Sequence, residues 1–234
     1  MEDEVNIIGR IQEEFSNELV TKSSDLAIDY LQLGLDTVFN STILEEVPVV
    51  KTIAATYKMG LAIKERFFAK KLLAFIVDLR NGTCDESRKN KFITKMQDSG
   101  YRHKVTETLL VFIDSYTSLN KALMVSRIFN DYINGKYNWE KFLLFSNCID
   151  LLFVDDIHIL EMFYKTNEKI IEGSNEIKDK RGSLHRLVHL GFLNSEGSNF
   201  GVMFGQNPVV LAYTLSQDGQ EFFESVTRNG MSNL

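Results

Sequence analysis

Six cations and imidazoles crowd into twelve residues near the C-terminal end: Lys178, Lys180, Arg181, His185, Arg186 and His189. Two chemistries use such a set. The histidines are four apart, which on a helix puts both rings on one face at zinc-ligand spacing. The stretch reads "HRLVH", however, without the glutamate of a metalloprotease helix, and a third ligand would have to come from His103, His158 or a cysteine far away in the chain. No metal is therefore expected. The other chemistry is phosphate contact by a basic helix around residues 183–190, as in a protein that reads a DNA groove. Against it, residues 155–234 hold eleven acidic and seven basic side chains, and residues 197–208 offer no lysine or arginine to a phosphate.

A second candidate is the stretch "YINGKYNWEKF", Tyr132 to Phe142. With Gly135 as the sixth residue of a calcium loop, the ligand positions fall on Asn130, Tyr132, Asn134 and Lys141. A tyrosine and a lysine cannot serve there. Apolar residues on both sides recur at helical rather than alternating spacing, so the stretch reads as a corner: a helix ending at Gly135 in a left-handed cap, then Asn138 capping the next. "LRNGTCDE" repeats the layout with Gly82 and Asp85, fifty-three residues earlier. Tyr137 and Trp139 at the corner are candidate anchors of a protein interface, since aromatic side chains dominate such contacts.

The chain holds no nucleophile elbow, no phosphate-binding glycine loop and no paired carboxylates at catalytic spacing, so a non-enzymatic protein without cofactor or small-molecule substrate is expected. Its two cysteines, Cys84 and Cys148, form no CxxC pair and read as reduced thiols of a cytoplasmic protein. The acidic opening "MEDEVNIIGRIQEEF" lacks the apolar stretch of a secretory signal, and no run suits a bilayer.

Charge is distributed unevenly. Residues 1–50 balance to −9, residues 51–105 to +8 and the rest to −5. The simplest arrangement packs the acidic N-terminal helices beside the basic segment. Basic residues between Lys51 and Arg80, with Phe67, Phe68 and Phe75, could lie on a membrane surface. The stronger expectation is that those rings fill a core.

Only two prolines and strong three- and four-residue periodicity predict a mainly α protein: a multi-helix bundle followed by a small α+β domain. Residues 1–46 read as acidic helices on the bundle, with stripes Ile7, Ile8, Ile11, Phe15, Leu19 and Leu26, Tyr30, Leu33, Val38. Residues 47–153 form the bundle, with Pro48 opening a helix and further helices at 88–96, 105–116, 119–133 and 139–153. Residues 154–234 hold a helix near Asp155, another capped by Ser183 and ended by Gly191, strands in "NFGVMFG" and "VVLAYTLS", and a closing helix.

The phrases "LHRLVHLGFL" and "AYTLSQDGQEFF" resemble the third-helix and second-strand stretches of winged-helix domains. Residues 65–155, with their Gly-containing corners, resemble tellurite-resistance B-like helical domains, in which acidic residues proposed to bind metal often cluster near such corners; this chain has Asp85 and Glu86 at one corner and Asn138 and Glu140, with Lys136 and Lys141, at the other. The resemblances imply a fold; the absence of catalytic motifs and the aromatics at the corner lead to the expectation of a scaffold or regulatory protein that works through a protein partner or self-association, with DNA contact at the 178–189 cluster as the alternative and a membrane surface at 51–80 third.

Overall fold

The computed structural model describes residues 2–21, 47–56, 63–171, 174–175, 177–198 and 210–228. The protein is mainly helical, with a small three-stranded antiparallel sheet in its C-terminal region. It divides into two compact units, residues 1–150 and 151–234.

In the first unit the described helices are α1 (Glu2–Val20), α2 (Pro48–Thr56), α3 (Ile63–Asn81), α4 (Glu86–Lys95), α5 (Ser99–Ser115), α6 (Leu119–Ile133) and α7 (Trp139–Leu151). Pro48 is the first helical residue of α2, where its missing N–H costs no bond. Helix α3 is buried continuously from Ala69 to Val77, so it is the central rod rather than a surface helix. Phe75 is fully buried between Phe15 (5.8 Å) and Phe129 (6.2 Å), and Phe129 continues the chain of rings to Phe142 (5.5 Å). Phe67 and Phe68 are half-buried. Of the three rings, Phe75 therefore belongs to the core, while Phe67 and Phe68 are partly covered.

A buried rod that carries lysines needs acceptors for them. Lys71, 3% exposed, donates to the carbonyls of Asp114 (2.6 Å) and Tyr116 (2.7 Å), where the last turn of α5 leaves its acceptors open. Burial lowers the ammonium pKa of Lys71 from its ordinary value. Lys121 does the same for the end of α7, donating to the Asp150 carbonyl at 2.6 Å. Acidic α1 is fastened to the basic segment: Arg80 pairs with Glu18, and Arg102 donates to Ser16 and, at 2.8 Å, to Asn17 Oδ1.

Both corners join helices as expected, though only one is built in the expected way. Gly135 has φ +75°, with the Lys136 N–H returning to the Asp131 carbonyl and the Gly135 N–H to Tyr132, each at 2.9 Å. That double closure is the Schellman motif. Asn138 Oδ1 then accepts the Lys141 N–H at 2.8 Å. Asp85 caps α4 likewise through the Arg88 N–H at 2.9 Å. Gly82, expected to be left-handed, is not. Its glycine is required by proximity instead, since a Cβ there would lie 2.8 Å from Asn130 Nδ2. The two corners also interlock: Asn134 Oδ1 accepts the Asp85 N–H (2.9 Å), while Asn130 and Asn134 both donate to the Thr83 carbonyl (2.9 and 3.1 Å).

The second unit holds α8 (Val154–Thr166), β1 (Ile170–Ile171), α9 (Arg181–His189), β2 (Leu193–Ser198), β3 (Val210–Leu215) and α10 (Gln217–Thr227). Strand β3 lies between β1 and β2, antiparallel to both, with Ile170 opposite Tyr213 and Leu193 opposite Leu215. Strand β1 was not expected from the polar stretch around it. The helix expected to be capped by Ser183 starts two residues before it, at Arg181, so Ser183 is inside the helix and buried. Gly191, at φ +79°, ends that helix with a second Schellman motif: Phe192 N–H to Leu187 and Gly191 N–H to Val188. The expected strand in "NFGVMFG" and the Leu26–Val38 stripe lie outside the described residues.

Candidate functional site

Helix α9 positions the cluster read from the sequence. Leu184 and Leu187 point into the core, which turns Arg181, His185 and His189 outward along one stripe at four-residue steps. Lys178 is exposed in the turns before the helix. These four side chains are brought together on one surface.

The other two members are engaged within the unit. Asp156, with no exposed side-chain surface, accepts Arg186 Nε at 2.7 Å and Nη2 at 2.9 Å. Its Oδ2 also accepts the Phe153 N–H at 2.7 Å, closing the first turn of α8. The paired carboxylate raises the guanidinium pKa of Arg186, and the same group sits 4.4 Å over the Phe153 ring. Lys180 has its ammonium 3.6 Å from Asp155. Of the six cluster residues Arg186 is the one drawn inward, while Lys180, 43% exposed at its side chain, forms only a surface pair with Asp155. A buried carboxylate thirty positions away made the difference.

Behind this surface the unit is tightly closed. Ser216 Oγ donates to the Gly191 carbonyl (2.6 Å) and accepts the Gly219 N–H (2.9 Å), linking the end of α9 to the start of α10. A Cβ at Gly219 would lie 2.1 Å from the Phe192 carbonyl oxygen, so only glycine fits. Phe192 stacks on Phe222 at 4.4 Å.

The second candidate, at the 134–141 corner, is corrected in part. Tyr137 is 5% exposed, its ring edge-on to Phe145 at 5.3 Å with the Lys136 ammonium 5.3 Å over its face. It staples the corner to α7 and is not an exposed anchor. Trp139 is half-buried, packed against Phe142 (4.9 Å) and Tyr132 (5.3 Å), with Lys104 over its ring at 5.7 Å. Tyr132 and Tyr101 share a hydroxyl–hydroxyl bond of 2.6 Å beside it, and burial raises the Tyr101 pKa well above that of a free phenol. Among the described residues no group of three or more His, Cys, Asp and Glu is placed to hold a metal ion, and no helix is long and apolar enough to cross a membrane. No family model, no curated protein and no solved structure matches the chain.

Proposed function

We propose that the protein is a non-enzymatic regulatory or scaffolding factor that works through contacts with another protein or with a second copy of itself, and that residues 151–234 form a winged-helix-like module. The module reading is supported by the order helix, short strand, turns, helix, two strands and closing helix, with the last strand in the middle of the sheet. The observation that carries the choice of a protein over DNA is the closure of Arg186 on Asp156. It takes one of the two guanidinium groups of α9 out of base or phosphate contact. Light scattering combined with lysine-directed cross-linking of the full chain in native extract tests this. Reproducible cross-links to one partner or to a second copy are expected; a strictly monomeric chain with no reproducible cross-link overturns it.

A second reading, duplex DNA binding, is favoured by the exposed stripe of Arg181, His185 and His189 with Lys178 ahead of it. Anisotropy titration of a duplex at 50 and 200 mM salt decides it. Affinity lost steeply with salt, and lost again on Arg181→Ala with Lys178→Ala, is the required result.

A further inference from the structure

Asparagine followed by glycine is a reactive pair, and the sequence places one at each of the two interlocked corners: Asn81–Gly82 and Asn134–Gly135. The main-chain nitrogen of the glycine attacks the side-chain carbonyl carbon of the asparagine, an approach that no glycine Cβ hinders. The new C–N bond closes a five-membered succinimide. The side-chain nitrogen takes up the proton of the glycine amide and leaves as ammonia. Water then opens the ring at one carbonyl or the other, giving aspartate or isoaspartate. One water enters and one ammonia departs, and the reaction needs no partner beyond water and hydroxide. A third such pair, Asn229–Gly230, lies outside the described residues.

The fold treats the two pairs differently. Asn134 is half-buried; its Oδ1 accepts the Asp85 N–H at 2.9 Å, and its Nδ2 donates to the carbonyls of Asn130 (3.0 Å) and Thr83 (3.1 Å). Turning that carboxamide onto the Gly135 nitrogen breaks all three bonds. The nitrogen is itself held to the Tyr132 carbonyl at 2.9 Å inside the Schellman closure. Asn81, by contrast, is the last residue of α3 and is exposed. The Gly82 N–H reaches back to the Leu79 carbonyl across a longer 3.3 Å. Helix ends open at lower cost than closed interior structure, so the Asn81–Gly82 peptide reaches the geometry of attack more often.

We infer that Asn81 is a site of spontaneous deamidation whose product loosens the junction of the two corners, while Asn134, its equivalent in sequence, is protected by the fold. Isoaspartate routes the main chain through the former side chain and inserts one methylene just ahead of Gly82. Gly82 is closely packed, since a Cβ on it would lie 2.8 Å from Asn130 Nδ2. Lengthening the chain there shifts Gly82 against Asn130. It also shifts the Thr83 carbonyl, which accepts from both Asn130 and Asn134. Either product, moreover, sets a new carboxylate at the C-terminal end of α3, where the helix dipole disfavours negative charge.

The test keeps the full chain at mildly alkaline pH in heavy-oxygen water, once native and once in guanidinium chloride, and weighs its proteolytic peptides at intervals. The heavy oxygen marks conversions that occur during the incubation. In guanidinium the two pairs should convert within about threefold of one another, because flanking sequence alone then sets the rates. In the native chain Asn134 should convert more slowly than Asn81 by about tenfold or more. Asn81→Gln, which closes a ring only with one more atom, should suppress conversion at its corner and leave the rate at Asn134 unchanged. Converted chain, separated by anion exchange through its added negative charge, should exchange the Asp85 amide hydrogen about fivefold faster than unconverted chain, since that amide is bonded to Asn134 Oδ1. Three results overturn the inference: equal native rates at the two pairs, an Asn81 that stays intact while the denatured chain converts, or an Asp85 amide that exchanges alike in both forms.

Discussion

Helices α4 and α9 are nearly equal in length, ten residues and nine, and both concentrate cations on short stretches. They dispose of them in opposite ways. On α4 the packed side is filled by Phe92 and Met96, and Arg88, Lys91 and Lys95 stay in solvent. On α9 the packed side meets a fully buried carboxylate, and Arg186 turns inward to satisfy it. Desolvating a carboxylate costs several kcal/mol unless hydrogen bonds replace its water, and Asp156 is given three of them. A basic stretch of sequence therefore does not define a basic surface. The carboxylates beneath it decide how much of the charge reaches solvent.

The comparison breaks most visibly at Asp156. Asp156→Ala leaves Arg186 and the Phe153 N–H without their acceptor, and should destabilise the second unit by about 3 kcal/mol, the low end for a broken buried pair because Arg186 keeps some solvent. Urea unfolding followed by circular dichroism measures it. A loss below about 1 kcal/mol would mean the pair is not what holds α8 against α9. Next in size are the two Schellman glycines, one at each region. Gly135→Ala and Gly191→Ala should each cost about 1–2 kcal/mol, because a Cβ is strained at φ +75° and +79°. The two should cost about the same, since the atoms a Cβ would meet at Gly135 are the end of the exposed, flexible Arg88 side chain, and at Gly191 nothing lies within 4 Å.

A smaller pair of substitutions sharpens the contrast at the helix starts. Asp85→Ala removes the cap of α4 and should cost about 1 kcal/mol. Ser183→Ala should stay within about 0.5 kcal/mol, since Ser183 is inside α9 and, among the described residues, its hydroxyl accepts a single long bond, from Arg186 at 3.4 Å. If the two substitutions cost the same, the start of α9 at Arg181 is misplaced.

That last contrast also marks where the sequence was legible. Helix α6 was readable to its ends, Leu119 and Ile133, because all its signals are local: Ser118 accepting the Lys121 N–H, periodic Leu123, Ile128 and Phe129, and Gly135 just beyond. Strand β1 was not, because two isoleucines carry no period and their pairing with Ala212 and Tyr213 comes from forty residues away. Asp85 and Ser183 look alike as caps, yet the basic turns before Ser183 continue into helix and absorb it. Of the candidate sites, the outward stripe of α9 followed from its helical period, while the inward turn of Arg186 had no local sign. Tyr137 looked exposed for the same reason: its burial is created by Phe145, which lies two turns along the next helix. Gly82 and Gly135 shared a pattern, but one answers to a backbone angle and the other to a neighbouring asparagine.

The smallest effect is a matter of sign, and it separates two arginine–carboxylate pairs that look equivalent on paper. Glu18 and Arg80 are 5% and 7% exposed at their side chains, but this pair is less completely satisfied than Asp156 and Arg186: Arg80 Nε is buried without a hydrogen-bond partner. Burial raises the Glu18 pKa above its ordinary 4.5, outweighing the pull of Arg80 toward a lower value, with Glu14 adding repulsion. A carboxyl whose folded pKa lies above its unfolded one binds its proton more tightly in the native state, so the native state gains as pH falls through that window. The burial penalty is complete at neutral pH and is gone once the pH is below 4.5. Glu18→Gln has the same shape and no charge to titrate. The stability of the wild type relative to this variant should therefore rise on acidification from neutral toward about pH 5, read by urea unfolding at each pH. If it falls instead, Arg80 outweighs burial, and the pair in the helical unit is held by attraction as firmly as the one beneath α9.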